Sequence, residues 1–167
     1  MESKGSTIYC SNCNKTYNLN EDGTLTSLQS ETEFSHLPDW YNWQRENVKQ
    51  EILNNTYYFE DEVDVYSLPR TAKPIHLGKA KVTHTIENGF ILEGFYNKQP
   101  YRIIRKPLAS NSLHVEYDYV HIKPYDCFVI NTEDDCFFCY TSKKDVITKL
   151  GFATEEIYQY HLNKKNK

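Results

Sequence analysis

Nowhere in its 167 residues does the chain carry the roughly 18 consecutive apolar residues that a membrane-spanning helix needs. Its opening, Met1-Glu2-Ser3-Lys4-Gly5, has no hydrophobic signal region. The sequence therefore predicts a soluble, unexported chain in a reducing cytoplasm. An excess of one charge is also missing. Charged residues make up 25% of the chain and the net charge is −4, which excludes a whole-molecule pull toward phosphate backbones or anionic lipid. A nucleic-acid partner is not expected, and a local basic patch stays open. There is no Gly-x-Ser-x-Gly elbow, no phosphate loop and no His-Glu-x-x-His, so the common signatures of hydrolases, nucleotide enzymes and zinc proteases are absent. The five cysteines are an odd set: Cys10 and Cys13, Cys127, then Cys136 and Cys139. Without a secretory signal, thiols or metal ligands fit them better than disulfides.

Fourteen tyrosines and eight phenylalanines are present, and with Val, Ile and Thr they favour pleated, half-buried surfaces. Residues 1–33 are polar, with a Cys-x-x-Cys and a turn at Glu21-Asp22-Gly23, and read as an arm with little to bury. Pro38 and Asp39 suit the first turn of a helix, because proline lacks only an orphan N–H and the carboxylate meets the positive end of the dipole. Trp40, Trp43, Val48 and Ile52 then fall near one face at helical spacing, and Asn54-Asn55 ends the run, which predicts a helix over about 39–54.

Beyond Tyr57 the period becomes alternating. Leu113 to Tyr119 is apolar at odd positions and polar at even ones, the pattern of a strand with one wet face. Asn88-Gly89 predicts a hairpin with a two-residue type I′ turn. Further strands are expected over Val63 to Leu68, Tyr101 to Lys106, Cys127 to Asn131 and Cys136 to Thr141. Ser142-Lys143-Lys144-Asp145 has capping-box spacing before a terminal helix, which Gly151 either breaks or bends. About seven antiparallel strands capped by a C-terminal helix is the element order of a pleckstrin-homology-like barrel. The expected fold is thus mainly β (α+β). It divides into a half zinc-ribbon arm (1–33), a connecting helix (34–55) and a pleckstrin-homology-like β-domain with its C-terminal helix (56–167).

Cys10-Ser11-Asn12-Cys13-Asn14 has the form of a zinc knuckle, in which a tight turn brings two thiolates to one metal and Asn14 takes the left-handed conformation. Tetrahedral zinc needs four ligands, and a second pair some 15–20 residues away is not there, so Cys10 and Cys13 are half a site. Cys136-Phe137-Phe138-Cys139 lies on a predicted strand, where residues i and i+3 face opposite sides, and is read as core together with Cys127. Lys79 and Lys81 are the candidate ligand-binding residues. If Gly78, Ala80 and Val82 face inward, both lysines face out, among His76, His84, Lys98, Arg102, Arg105 and Lys106, as an anion pocket or as a solvated face.

The run Phe34-Ser35-His36-Leu37-Pro38-Asp39-Trp40-Tyr41-Asn42-Trp43-Gln44-Arg45-Glu46 resembles the region that follows the catalytic domain in lysophospholipid acyltransferases of Firmicutes, the 1-acyl-glycerol-3-phosphate acyltransferase family. Asn88-Gly89-Phe90-Ile91-Leu92 and Ala153-Thr154-Glu155-Glu156-Ile157-Tyr158 extend the likeness over nearly the whole chain. The resemblance implies a catalytic domain in cis, then a zinc ribbon whose second Cys pair is similar to Cys10 and Cys13, then this helix and β-domain. It further implies zinc in the full-length parent and none in this chain, and a parent at the inner face of the cytoplasmic membrane. His121 and Asp126 have the His-x4-Asp spacing that those enzymes use for their base, but they straddle a proline turn and no Glu-Gly-Thr-Arg motif accompanies them. The expectation is a non-catalytic accessory module, with anionic lipid or headgroup binding as the alternative.

Overall fold

The computed structural model describes residues 2–10, 14–29, 31–69, 73–117, 122–144 and 146–165, and the chain divides into two compact units, 1–47 and 48–167. In the first unit the polar segment forms an antiparallel sheet, where the sequence suggested an arm. Strands β1 (Glu2–Lys4), β2 (Thr7–Cys10), β3 (Lys15–Leu19) and β4 (Leu25–Ser27) lie in the order β1-β2-β3-β4. Its core is small and aromatic: Tyr17, Leu25, Phe34 and Trp40 are buried, Tyr17 and Trp40 have ring centroids 4.9 Å apart, and Phe34 stacks on Trp40 at 6.1 Å. Four strands of three to five residues offer too few alternations to read in advance, and three rings supply the burial that the polar composition hides.

Helix α1 (Leu37–Leu53) starts two residues earlier than expected, with the Asp39 carboxylate accepting from the His36 amide at 3.1 Å, a reciprocal contact of the capping-box kind. It ends on Asn55 at φ +57, with Thr56 N–H reaching back to the Glu51 carbonyl, which is the left-handed stop that asparagine tolerates best after glycine.

The second unit is mainly β. Strands β5 (Tyr58–Ser67), β6 (Ile75–Thr85), β7 (Gly89–Tyr96), β8 (Gln99–Arg105), β9 (His114–Glu116), β10 (Cys127–Asn131) and β11 (Cys136–Thr141) form one antiparallel sheet, followed by helix α2 (Ile147–Lys165). The order β8-β7-β6-β5-β11-β10-β9 places the first strand of the unit beside the last, with a four-strand meander on one side and a three-strand meander on the other. Seven strands and a terminal helix are as expected for a pleckstrin-homology-like unit. The barrel itself is not closed: among the described residues no ladder joins β8 to β9, and β9 is only three residues long. Inward alternation makes the core. Val63, Val65, Ala80, Val82, Phe90, Leu92, Phe128 and Ile130 pack against Ile147 and Leu150 of α2, and a second cluster joins Val48 and Ile52 to Phe152, Ala153 and Ile157.

Two local expectations change. The Asn88-Gly89 hairpin has a three-residue loop, because Thr85 pairs with Gly89 and only Gly89 has positive φ, at +67. A two-residue turn with both central residues left-handed does occur, at Asn97 and Lys98 (φ +50 and +66) between the paired Tyr96 and Gln99. Ser142 is not a helix cap. Asp61, a buried carboxylate on β5, accepts from the Ser142 hydroxyl, from the Ser142 amide at 2.9 Å and from the Lys143 amide at 3.1 Å, and α2 begins only at Ile147. Asp61 meets both amides in a desolvated place, so its charge-assisted bonds outcompete capping.

Gly151 does not break α2, which runs as one helix from Ile147 to Lys165, and a Cβ there would meet nothing within 4 Å. Gly151→Ala is expected to raise stability by about 0.5–1 kcal/mol, as a shift in urea midpoint. Gly89 is the opposite case, since its Cβ would lie 2.2 Å from the Arg105 carbonyl oxygen. Gly89→Ala is expected to cost at least about 2 kcal/mol, whereas Asn88→Ala stays within about 0.5 kcal/mol, and equal costs would contradict the three-residue loop.

Candidate functional site

Outward alternation on β5 to β8 lays charges in a row. Glu62 pairs in register with Lys81, Lys81 with Glu93, and Glu93 with Arg102, so the sign alternates across four strands. Lys79 and Lys81 both point outward, while Ala80 and Val82 are buried. Each lysine is answered by an acid: Lys81 Nζ is 2.8 Å from Glu60, Lys79 Nζ is 3.4 Å from Glu62, and Arg102 is 2.9 Å from Glu93. A hydrogen bond from Lys81, helped by the Tyr58 hydroxyl, holds the Glu60 carboxyl below its ordinary pKa. The three cations and their acids, with Phe95, Pro100 and Tyr101, line an open concavity of about 830 Å³. Exposed pairs of this kind are worth at most about 1 kcal/mol each, yet together they leave the wall close to neutral.

The basic residues grouped by the sequence do not converge. His76 goes to a different cluster, because a bulge between Val65 and Tyr66, with Gly78 at φ +89, re-registers the start of β6 and sets His76 opposite Tyr66. Its ring stacks on Tyr66 at 4.5 Å and its Nε2 lies 2.7 Å from Asp64, while Lys123 also bonds Asp64 and sits over the rings of Tyr66 (5.2 Å) and Tyr140 (5.6 Å). Burial pushes the Asp64 carboxyl up, but hydrogen bonds from Lys123 and His76 outweigh it and hold the group below its ordinary value. Nothing local in the sequence brings Lys123 to Asp64, 59 residues away.

His84 is core. It is 1% exposed, stacks on Phe90 with centroids 3.8 Å apart, and its Nδ1 is 2.9 Å from the Tyr57 hydroxyl. Burial lowers its pKa to about 3, so the imidazole is neutral at physiological pH. Cys127 and Cys139 are fully buried, and burial pushes the Cys127 thiol up to about 11 and raises that of Cys139 as well. Cys136 and Cys139 pack into different clusters, as strand alternation requires. Arg105, at the end of β8, lies in the row His84–Phe90–Arg105 across three strands, and burial lowers its guanidinium pKa. The signal for that burial was present in the alternation of Tyr101, Ile103 and Arg105, all partly buried, against exposed Arg102 and Ile104.

Cys10 ends β2, half-buried against the aromatic cluster of the first unit, and Asn14 has φ +54, the left-handed turn residue expected there; Cys13 lies outside the described residues. Among the described residues no group of three or more His, Cys, Asp or Glu is placed to hold a metal ion. His121 also lies outside the described residues, while Asp126 is exposed. Among the described residues no helix is long and apolar enough to cross a membrane. No family model, no curated protein and no solved structure matches the chain.

The neutral His84 makes acid destabilising in a defined window. Its pKa is near 3 when folded and near 6.5 in the unfolded chain, so the unfolded state binds the extra proton and stability falls as pH drops below 6.5. Between pH 7 and 5 the loss is on the order of 2 kcal/mol. Asp64 and Glu60, held low, add acid sensitivity only nearer the ordinary carboxylate values. Urea midpoints at the two pH values are expected to show the loss in the native chain and not in His84→Leu.

Proposed function

We propose that the chain is a non-catalytic accessory module that positions or regulates the catalytic domain of a 1-acyl-glycerol-3-phosphate acyltransferase in membrane-phospholipid synthesis, at the inner face of the cytoplasmic membrane. The observation that carries the non-catalytic half is the burial of three reactive side chains of the larger unit, Cys127, Cys139 and His84. A nucleophilic thiol needs a lowered pKa and a general base needs one near the working pH, whereas Cys127 is pushed up, Cys139 is raised and His84 is pushed far down by burial. These groups fill the core and support a binding or scaffolding role.

The acyltransferase half rests on the runs Phe34 to Glu46, Asn88 to Leu92 and Ala153 to Tyr158, and the helix followed by a seven-stranded β-unit is the arrangement that the resemblance implies. In this reading Cys10 and Cys13 take zinc only in the parent, whose own further Cys pair completes the tetrahedron. The catalytic domain is the partner in cis. The alternative reading puts an anionic lipid headgroup on Lys79 and Lys81. Such a ligand has to compete with Glu62 and Glu60, which already oppose those ammonium groups, and it meets Glu93 on the same wall.

Incubated with lysophosphatidate and acyl-CoA or acyl-carrier protein, the chain is expected to transfer no acyl group. Turnover that disappears in His121→Ala would overturn the non-catalytic reading. The family half is tested at the coding sequence: a Cys-x-x-Cys upstream of Met1, preceded by His-x4-Asp and a Glu-Gly-Thr-Arg-like motif, is expected, and a stop codon there removes it.

A further inference from the structure

The cations carried on the strands of the larger sheet are answered by carboxylates with a single exception among the described residues. His76 meets Asp64, Lys79 meets Glu62, Lys81 meets Glu60, Arg102 meets Glu93 and His114 meets Glu116. His84 is neutral. Arg105 has no acid, and it is also the strand cation whose Nη1 is wholly buried without a hydrogen-bond partner. An unpaired cation is ordinarily left in water, where it costs little. A guanidinium nitrogen that is both desolvated and unanswered is costly, and a second component of opposite charge removes that cost.

The surroundings say what that component is. Arg105 lines a crevice between the end of β8, the short 3₁₀ turn Pro107–Ala109 and α2, together with His84, Phe90, Lys106, Ser110 and Thr154 among others. The space within it is about 10 Å³, room for a single oxygen-sized group. Its polar walls are already engaged: the Thr154 hydroxyl donates to the Leu150 carbonyl at 2.8 Å, the Ser110 hydroxyl to the Ser112 carbonyl at 2.6 Å, and His84 is held by Tyr57. None of them carries negative charge. Lys106, next in the chain, lines the same crevice, is exposed, and has no carboxylate partner among the described residues. Two adjacent unanswered cations, one half-buried with its Nη1 wholly covered and one at the surface, match a dianion that inserts one oxygen and leaves the rest outside. A water molecule can satisfy the buried N–H but leaves the charge uncompensated.

From this we infer that the crevice is an oxyanion site of the phosphate class, with one phosphate oxygen accepting from Arg105 Nη1 and Lys106 meeting the outer oxygens. The site is preorganised, because the ladder pairs Arg105 with Phe90, and Gly89 lets the Arg105 carbonyl approach closely. It lies apart from Lys79 and Lys81, and it holds whether or not the chain is an acyltransferase accessory. Free phosphate, a soluble phosphomonoester and the headgroup of phosphatidate share the required chemistry.

The test uses the full chain at a constant ionic strength of about 0.15 M, so that general screening does not change. Sodium phosphate and glycerol 3-phosphate, titrated against sodium chloride, are followed by thermal midpoint and by amide chemical shifts around Arg105. A saturable response to phosphate is expected, weakened about ten-fold or more in Arg105→Gln and about three-fold in the exposed Lys106→Gln, as loss of a charge-assisted contact requires. Lys79→Glu with Lys81→Glu is expected to leave it unchanged. Sedimentation with phosphatidylcholine vesicles, with and without phosphatidate, separates the sources: phosphatidate-dependent binding that needs Arg105 identifies a headgroup, and a response confined to the soluble anions identifies a free phosphate. No saturable response in the native chain, or one equal in Arg105→Gln and Lys106→Gln, would overturn the site and leave the crevice to a water molecule. Should Arg105→Gln fail to fold, the Lys106→Gln arm decides alone, because that side chain is exposed.

Discussion

Both edges of β5 are occupied, and the larger unit depends on that. On one side β5 pairs with β6 over nearly its full length, and on the other with β11, 70-odd residues later in the chain. Val63 and Val65 are fully buried at the junction. Just beyond the β11 ladder, Asp61 gathers the Ser142 hydroxyl and the Ser142 and Lys143 amides, so one buried carboxylate fixes the point at which the chain leaves the sheet for α2. The meander β5 to β8 is local and can form from hairpins. Joining it to β9 to β11 is non-local, and it is the β5–β11 ladder and the Asp61 contacts that stabilise the joint against the entropy of bringing distant segments together. α2 then covers the inner face through Ile147 and Leu150 because its start has been placed there.

Much of this was legible because alternation is a strong signal where one face is wet. β10 and β11 match the expected spans, and Ala80, Val82, Lys79 and Lys81 fall on the expected sides. Sequence also located the end of α1, since asparagine in the left-handed region is a local property of Asn55. What escaped was of two kinds. Short polar strands in residues 2–27 owe their existence to Tyr17, Phe34 and Trp40 packing together, and such rings do not reveal their partners by spacing. Local turn chemistry was read one residue out of place at Asn88-Gly89, because the same dipeptide serves a two-residue turn and a three-residue turn that ends on a left-handed glycine.

Charge was the least legible property, and for a physical reason. A strand pattern tells which side a lysine faces, but the acid that answers it comes from a neighbouring strand whose register depends on bulges and turns. The bulge at Val65/Tyr66 moves His76 to Asp64 and away from the lysines with which it was grouped, and Lys123 arrives at the same carboxylate from a distant connection. Capping-box spacing at Ser142 failed similarly: the motif is local, while Asp61 is 81 residues away and better desolvated.

These facts move the centre of interest along the sheet. On the outer wall every described strand cation is opposed, so the potential there is short-ranged and close to cancelled, and exposed pairs of that kind rearrange at little cost. At the inner end of β8 the opposite holds: Arg105 Nη1 is buried without a partner, the residue lines a crevice with α2 and the 3₁₀ turn, and among the described residues no carboxylate answers it. Burial of Nη1 strengthens an interaction with an anion there and penalises its absence, which favours Arg105 and its exposed neighbour Lys106 over the more populous but neutralised surface around Lys79 and Lys81 as the place for an anion. Counting basic residues in the sequence pointed to the wall; asking which of them lacks an acid points to the crevice.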